Sequence, residues 1–288
     1  MMMTDTPAAL RRTNDDSIGR ILLDLGKITP GDAERVLALQ AQNGMRFGEA
    51  AQHLGLVDAS DIQQILATQF DYQYAPAHTS GFDPSLVAAV DPFGREAEML
   101  RALRGQLTMR WFTTGHKALA VVAIDATAAA GAVAANLAIV YAQQGRTTVL
   151  IDANMRAPRQ HTLFGLHPKS GLSDALAGRA AAPGLARVPP FDTLSLLGAG
   201  PQPPNPHELL GRPSFAALDQ ALVRAFDVVL YDAPALSAGA DAYAIAARTG
   251  AVLLVVSKNV TRQAALREAR AQFMRAGAEI VGSLLVDF

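Results

Sequence analysis

Apolar segments of strand length recur along the chain from residue 116 to its end, and helical segments separate several of them. The strand candidates are continuous runs of Val, Leu, Ile and Ala, which is typical of strands covered on both faces. These candidates are Ala118–Ile124, Thr147–Ile151, Leu194–Leu197, Val228–Tyr231, Ala251–Val256 and Ile280–Val286. The helices between them are Ala128–Gln143, Ser214–Ala225, Ala240–Arg248 and Ala264–Arg275. This alternation predicts an α/β fold with a doubly wound, mostly parallel sheet.

Composition narrows the classes of function. The 288 residues carry a net charge of −1 at pH 7, which gives no electrostatic reason to expect nucleic acid as a partner. The lack of cysteine excludes disulfides, thiolate metal sites and cysteine nucleophiles. The six histidines lack the paired spacing of a metal-binding helix, so we expect no metal. Because no segment resembles a signal peptide or a membrane span, we expect a cytoplasmic protein.

The first seventy residues contain an internal repeat. Residues 17–40 can be laid over residues 46–69 with matching glycines, apolar positions and a final glutamine. Each unit has the pattern of two helices, with Gly26 placed to end the first in the left-handed conformation. Thr29 is placed to cap the second helix, and Asp32 follows at the third position of a capping box. Since neither unit can bury its apolar stripe alone, the two are predicted to form one small helical domain.

The chain therefore divides into four segments. We predict a flexible tail over residues 1–16, the helical repeat domain over 17–72, a linker over 73–93 and the α/β domain over 94–288. The linker assignment depends on its prolines, its glycines and its lack of periodicity, with one short helix at Pro84–Val90.

Polar residues follow three of the predicted strands. They are the stretch from Asp125 to Gly131, the pair Asp152 and Arg156, and Asp232. Ligands of open α/β sheets bind beyond the carboxyl ends of the strands. Carboxylates there are typical of magnesium and water positioning in phosphoryl transfer, although either aspartate alone is more often a cap or a turn residue.

The repeat resembles the MshEN family, the N-terminal domain of type II secretion and pilus ATPases, some of which bind cyclic di-GMP. The shared pattern is an Arg-Leu-Gly-like start, spaced leucines and a closing glutamine, twice, around the spacer 41–45. The resemblance implies a cyclic di-GMP site lined by Ile18, Gly19, Leu22, Leu37 and Gln40 and by Arg46, Phe47, Gly48, Leu66 and Gln69. Ser17 stands where the first motif has arginine, so one cation is missing. The alternative is a helical docking module that binds no nucleotide.

Residues 91–288 resemble the bacterial tyrosine kinases of exopolysaccharide chain-length control, a branch of the MinD/ParA-like P-loop group. The matching segments, in family order, are AANLA, AQQGRTTVLIDANMRAPRQHTLFGL, GLSDALAGR, PPNPHELL and FDVVLYDAP. The resemblance implies a P-loop NTPase-like fold with Asp152 and Asp232 on the family's functional aspartates. It also places Glu98, Arg101 and Arg104 on the family's oligomerisation motif.

The phosphate loop of that family departs from its pattern in this chain. On the same alignment Ala130 takes the lysine position, Gly131 the hydroxyl position, and Thr127 and Ala129 the glycine positions. The chain thus lacks the cation for the β- and γ-phosphates, the oxygen for magnesium and the flexible loop backbone. The carboxylate of Asp125 would repel a triphosphate. Asp125 or Thr127 can instead cap the free N–H groups of the helix, which would have held phosphate.

The remaining site residues then take structural roles. Asn154 replaces the second aspartate of the family's Asp-Ala-Asp, and we expect Asp152 and Asp232 to persist as caps or remnants, with Arg156 paired to one of them.

Together these features predict a non-catalytic, pseudokinase-like scaffold or regulator of polysaccharide biosynthesis and export. We expect no cofactor other than cyclic di-GMP, with ATP and magnesium bound only weakly. The resemblance implies oligomers with kinase relatives, or docking on a membrane-bound chain-length protein at the inner face of the plasma membrane. The alternative is an active ATP-dependent tyrosine kinase or ATPase of the same pathway.

Overall fold

The computed structural model describes residues 14–58, 61–62, 65, 73, 81–126, 129–179 and 184–287. The chain divides into two compact units, Met1–Gln73 and Tyr74–Phe288, which are considered separately below.

The first unit is helical. The helices whose two ends are described in this unit are α1 (Asn14–Asp24), α2 (Pro30–Asn43) and α3 (Phe47–His53). Because α1 begins at Asn14, residues 14–16 are helical, and the predicted tail is wrong for them. The rest of that tail lies outside the described residues.

Local sequence signals set the helix ends of this unit. Gly26 has a φ of 66°, the left-handed conformation predicted for the end of the first helix. The Thr29 side chain accepts from the Asp32 N–H, and the Asp32 carboxylate accepts from the Thr29 N–H, which confirms the capping box. Asp58 and Asp61 make the same reciprocal bonds in the second repeat. The two repeats therefore share this pair of capping bonds.

The second unit is an α/β domain. Its strands are β1 (Ala118–Ala123), β2 (Thr148–Asp152), β3 (Leu185–Val188), β4 (Phe191–Leu197), β5 (Val228–Asp232), β6 (Ala251–Ser257) and β7 (Glu279–Val286). Its α-helices are α4 (Val87–Val90), α5 (Arg95–Arg110), α6 (Ala129–Ala142), α7 (Gln160–Leu163), α8 (Leu172–Leu176), α9 (Pro206–Leu210), α10 (Pro213–Ala225), α11 (Asp241–Thr249) and α12 (Gln263–Arg275). Short 3₁₀ helices cover Phe112–Thr114 and Leu236–Ala238.

The strands form one sheet in the order β3-β4-β2-β5-β1-β6-β7. Every neighbouring pair is parallel except β3 and β4. Buried residues pack on both faces of the sheet, in agreement with the continuous apolar runs of its central strands. The predicted doubly wound, mostly parallel, P-loop NTPase-like sheet preceded by helices is confirmed.

Strand β3 was not predicted from the sequence. It is a short antiparallel edge strand, and three of its four residues are at least partly exposed. Such a segment has no continuous apolar run, so the signal that revealed the central strands is missing.

The predicted linker over residues 73–93 is wrong for residues 81–93. Leu86, Ala88 and Ala89 are fully buried in the core of the α/β unit. The side chain of Asn136 on α6 accepts from the Ala88 N–H at 2.8 Å and donates to the Ser85 carbonyl at 2.7 Å. Only four of these residues form a helix, α4, which is why the segment lacks helical periodicity although it is packed.

Among the described residues, no helix is long and apolar enough to cross a lipid bilayer.

Candidate functional site

Three strand ends meet at one edge of the sheet, since β5 lies between β2 and β1. Asp152 ends β2 and Asp232 ends β5, and the two residues are direct partners in the parallel register. Both are buried, with 0% and 4% of their surface exposed. The structure thus brings together the two carboxylates that the sequence placed after separate strands.

Asp152 acts as a helix cap. Its Oδ2 atom accepts from the backbone N–H groups of Arg159 at 3.0 Å and Gln160 at 2.9 Å, at the start of α7. These are the bonds that a capping aspartate would make, and its role at the site stays a prediction. Its other oxygen, Oδ1, is buried and has no hydrogen-bond partner among the described residues.

The two buried carboxyls favour their protonated forms. Burial and the nearby charge of Asp232 raise the pKa of Asp152 to about 8, although backbone N–H groups oppose the shift. Burial also raises the pKa of Asp232 to about 6, opposed by the Gln160 side chain and by the charge of Arg159. Near neutral pH the pair therefore holds a proton, which lowers the cost of placing two acids side by side.

Gln160 fills the space between Asp232 and helix α6. Its Nε2 atom donates to Asp232 Oδ2 at 2.6 Å and to the Gly131 carbonyl at 2.9 Å. The side chain is fully buried, and its Oε1 atom has no partner among the described residues. Sequence reasoning missed this residue, because a single glutamine after a strand and a loop carries no recognisable motif.

Gly131 leaves room for that amide. A β-carbon at this position would lie 3.3 Å from both Asp232 Oδ2 and Gln160 Nε2. A side chain at position 131 would therefore require the Gln160 amide or the Asp232 carboxylate to shift by a few tenths of an ångström.

The connection from β1 to α6 carries a carboxylate and alanines. Ala130, in the first turn of α6, is buried, with 6% of its surface exposed. Asp125 accepts from the Thr261 hydroxyl at 2.5 Å, which joins this connection to the one that follows β6. Capping of α6 by Asp125 stays a prediction, and Thr127 lies outside the described residues.

Arg156 does not pair with either aspartate of the site, so that prediction is wrong. Its Nε atom lies 2.8 Å from Asp241 Oδ2, at the start of α11. Asp241 is almost completely buried, and His207 approaches its other oxygen at 3.3 Å. The sequence offered no sign that Asp241 would turn inward to accept this arginine.

The predicted oligomerisation residues contact their own chain. Arg101 pairs with Glu98 at 2.6 Å and also donates to the Pro92 carbonyl. Arg104 donates to the Val140 carbonyl at 2.6 Å. Glu98 is exposed, and a role of these residues in assembly stays a prediction.

The predicted cyclic di-GMP residues divide between core and surface of the helical unit. Ile18, Gly19, Leu22, Phe47 and Gly48 are buried, and a β-carbon at Gly19 would lie 3.0 Å from the Phe47 ring. Gln40 is partly buried, whereas Leu37 and Arg46 are exposed. Leu66 and Gln69 lie outside the described residues, as does the side chain of Ser17.

No cluster of three His, Asp or Glu side chains suited to a metal ion occurs within the part of the chain that the structure describes. No protein-family model matches the sequence.

The sheet and the site define the class of protein, an α/β domain of the P-loop NTPase type. Among solved structures, the chain is similar to the kinase domain of the Escherichia coli tyrosine kinase ETK, with a TM-score of 0.68 and 27% identity over 73% of this chain and 82% of that one. The septum site-determining protein MinD of Pyrococcus horikoshii, complexed with Mg-ADP, shares the fold at a TM-score of 0.52 and 19% identity, over 59% of this chain and 70% of that one.

Relatives by sequence agree with the structural likeness. The chain is 28% identical to tyrosine-protein kinase YwqD of Bacillus subtilis over 201 residues, which are 70% of this chain and 85% of that kinase. It is 30% identical to tyrosine-protein kinase wzc of Salmonella typhi over 200 residues, which are 69% of this chain but only 28% of that kinase. The chain is therefore a relative of bacterial tyrosine kinases and has the fold of their kinase domains.

Proposed function

We propose that this protein is a non-catalytic member of the exopolysaccharide-associated tyrosine kinase family, acting as a scaffold or regulator of polysaccharide biosynthesis and export. The observation that carries this proposal is the first turn of α6, where Ala130 and Gly131 stand in place of a lysine and a hydroxyl. No lysine or arginine occurs from Asp125 to Asn136, so this segment supplies no cation to a polyphosphate at the start of α6.

The residues at this edge do not fit a magnesium nucleotide. Asp125 would place a carboxylate next to the phosphates, and its oxygen is already bonded to Thr261. The helix dipole of α6 contributes about 0.3–1 kcal/mol toward an anion, which is too little to offset the missing lysine, hydroxyl and glycines. We derive no phosphoryl-transfer step for this chain.

Equilibrium binding tests the proposal. Calorimetric titration of the full chain with ATP and magnesium should give no saturable heat, whereas the ETK kinase domain in the same buffer serves as the binding control. Micromolar affinity of this chain for ATP would contradict the proposal.

An active kinase or ATPase is the second candidate, and the observation in its favour is the pair Asp152 and Asp232 at adjacent strand ends. It requires ATP hydrolysis that Asp152→Asn and Asp232→Asn both abolish. Hydrolysis that survives both substitutions comes from a contaminant and gives this candidate no support.

We further propose that the helical unit receives a signal, with cyclic di-GMP as its ligand. Its exposed Arg46 and Leu37 offer a cation and an apolar contact. Titration of the full chain with cyclic di-GMP tests this, with Arg46→Ala expected to lose binding. Arg35→Ala is the matched control, because Arg35 is exposed and its ion pair among the described residues is with Asp32.

Assembly would use the face of α5 that carries Glu98, Arg101 and Arg104, toward kinase relatives or a membrane-bound chain-length protein. Such docking would place a cytoplasmic protein at the inner face of the membrane. Co-purification of the tagged chain with a bacterial tyrosine kinase from its own cells tests this, and binding that persists in a Glu98→Ala, Arg101→Ala, Arg104→Ala variant would contradict this choice of face.

A further inference from the structure

We propose that Gln160 is an internal ligand of the α/β unit. Its side-chain amide occupies the space that a metal ion or phosphate would need, and it joins the strand ends and helix α6 without any bound nucleotide. This inference rests on the proposed non-catalytic function and names the residue that closes the site.

The first argument is the set of elements that Gln160 connects. Its backbone N–H donates to Asp152 at the end of β2, at 2.9 Å. Its Nε2 atom donates both to Asp232 at the end of β5, at 2.6 Å, and to the Gly131 carbonyl in the first turn of α6, at 2.9 Å. One residue thus contacts the three elements that surround the site.

The second argument is chemical. A primary amide nitrogen carries two N–H donors and no positive charge. Its two acceptors here are the Gly131 carbonyl, which lies within α6, and the buried carboxylate oxygen Oδ2 of Asp232, to which Gln160 is the described donor. An unsatisfied buried acceptor is costly, so the amide stabilises an arrangement of oxygen atoms that would otherwise need a cation.

The third argument is steric. With a β-carbon at position 131 only 3.3 Å from Gln160 Nε2, a serine or threonine there would press on the amide. Gly131 and Gln160 therefore form a matched pair, in which the absence of a side chain on α6 makes room for the side chain from α7.

An ordinary buried glutamine that only fills space makes a different prediction from an internal ligand. Gln160→Met keeps the length of the side chain but removes both donors, and Gln160→Ala removes the donors and opens space beside Asp232. The two variants separate the role of the amide from the role of its volume.

The test is thermal unfolding of the full chain, followed by the fluorescence of Trp111. This residue is the single tryptophan and is buried in the core of the α/β unit, so it reports on that unit. We expect Tm to fall by about 5–10 °C in both Gln160→Met and Gln160→Ala. Millimolar Mn²⁺ should restore part of the lost Tm in Gln160→Ala only. That variant alone combines the carboxylate oxygen atoms of the site with enough space for a cation.

Gln106→Met and Gln106→Ala are the controls, because Gln106 is exposed on α5, and their Tm should stay within about 1 °C of the natural chain. A Gln160→Met chain as stable as the natural one would overturn the inference, and so would a Gln160→Ala chain that does not respond to Mn²⁺. A natural chain that itself gains stability from Mn²⁺ would also overturn it, since its site would then be open. ATP binding by the natural chain would instead refute the proposed function, so the two failures are distinguishable.

Discussion

Two kinds of strand end meet at the site, and they differ in the side chains that they carry and in how those side chains are bonded. β2 and β5 end in the carboxylates Asp152 and Asp232, which are buried and hydrogen-bonded within the unit. The segment that follows β1 and enters α6 has alanines at 128–130 and glycine at 131, and it offers no lysine for phosphate.

Under the proposed non-catalytic function, this difference would mean that a former ligand site keeps part of its residues for structural roles. Asp152 caps α7 and Asp232 accepts from Gln160, so both retain structural roles in the absence of a ligand. A loop lysine and a magnesium-binding hydroxyl would have no comparable partner here without nucleotide. The predictions below test whether the carboxylates are structural, as this comparison requires.

Asp152→Ala should give the largest effect. It leaves the backbone N–H groups of Arg159 and Gln160 without their acceptor in a buried place, at a cost of about 2–4 kcal/mol in the free energy of unfolding. Denaturant unfolding followed by Trp111 fluorescence measures it, with the exposed Glu279→Ala as control. If the Asp152→Ala and control chains were equally stable, Asp152 would have no structural role.

The same pair predicts a pH dependence of stability. Because burial raises the folded-state pKa of Asp152 to about 8, the folded chain binds more protons than the unfolded chain between roughly pH 4 and pH 8. The free energy of unfolding should therefore fall as the pH rises through this range, by at most about 1.4 kcal/mol per pH unit for this group. The raised pKa of Asp232 acts in the same direction up to about pH 6. Asp152→Asn should flatten the profile between pH 6 and 8, and an unchanged slope would show that the proton resides elsewhere.

Arg156→Ala should have a moderate effect that is separate from the pair. It removes the partner of the buried Asp241, although the half-exposed arginine limits the loss to about 1–2 kcal/mol. The pH slope assigned to Asp152 should persist in this variant. A flattened slope would mean that Arg156 acts on the site carboxylates after all.

Thr261→Val should have the smallest effect. It removes the hydroxyl that donates to Asp125 and accepts from the Ser257 N–H, for a loss of about 0.5–1.5 kcal/mol. ATP binding should remain absent, because the missing lysine limits binding more than the Thr261–Asp125 contact does. Gain of ATP binding in Thr261→Val would show that this contact alone closes the site.

Much of the fold could be predicted because its signals are local or periodic. Continuous apolar runs predicted the central strands. In the helical unit, Gly26, Thr29 and Asp32 predicted the boundary between α1 and α2. The edge strand β3 and the packed segment 81–93 were missed, since tertiary contacts such as those of Asn136 define them rather than any periodicity.

The site was predictable only in part for a similar reason. Register in a parallel sheet brings Asp152 and Asp232 together once the strands are known. The partners of Gln160 and Arg156 depend on how loops fold across strand ends, over separations of 72 and 85 residues, respectively. No spacing rule covers such contacts, which is why Gln160 was missed and Arg156 was assigned to the wrong carboxylates.

The most direct test of the central claim is a crystal structure of the full chain grown with magnesium and a non-hydrolysable ATP analogue. We predict that no density for nucleotide appears at the start of α6 and that the Gln160 amide contacts Asp232 and the Gly131 carbonyl. Phosphates held by the backbone N–H groups between Asp125 and Gly131, with Gln160 displaced, would contradict the account.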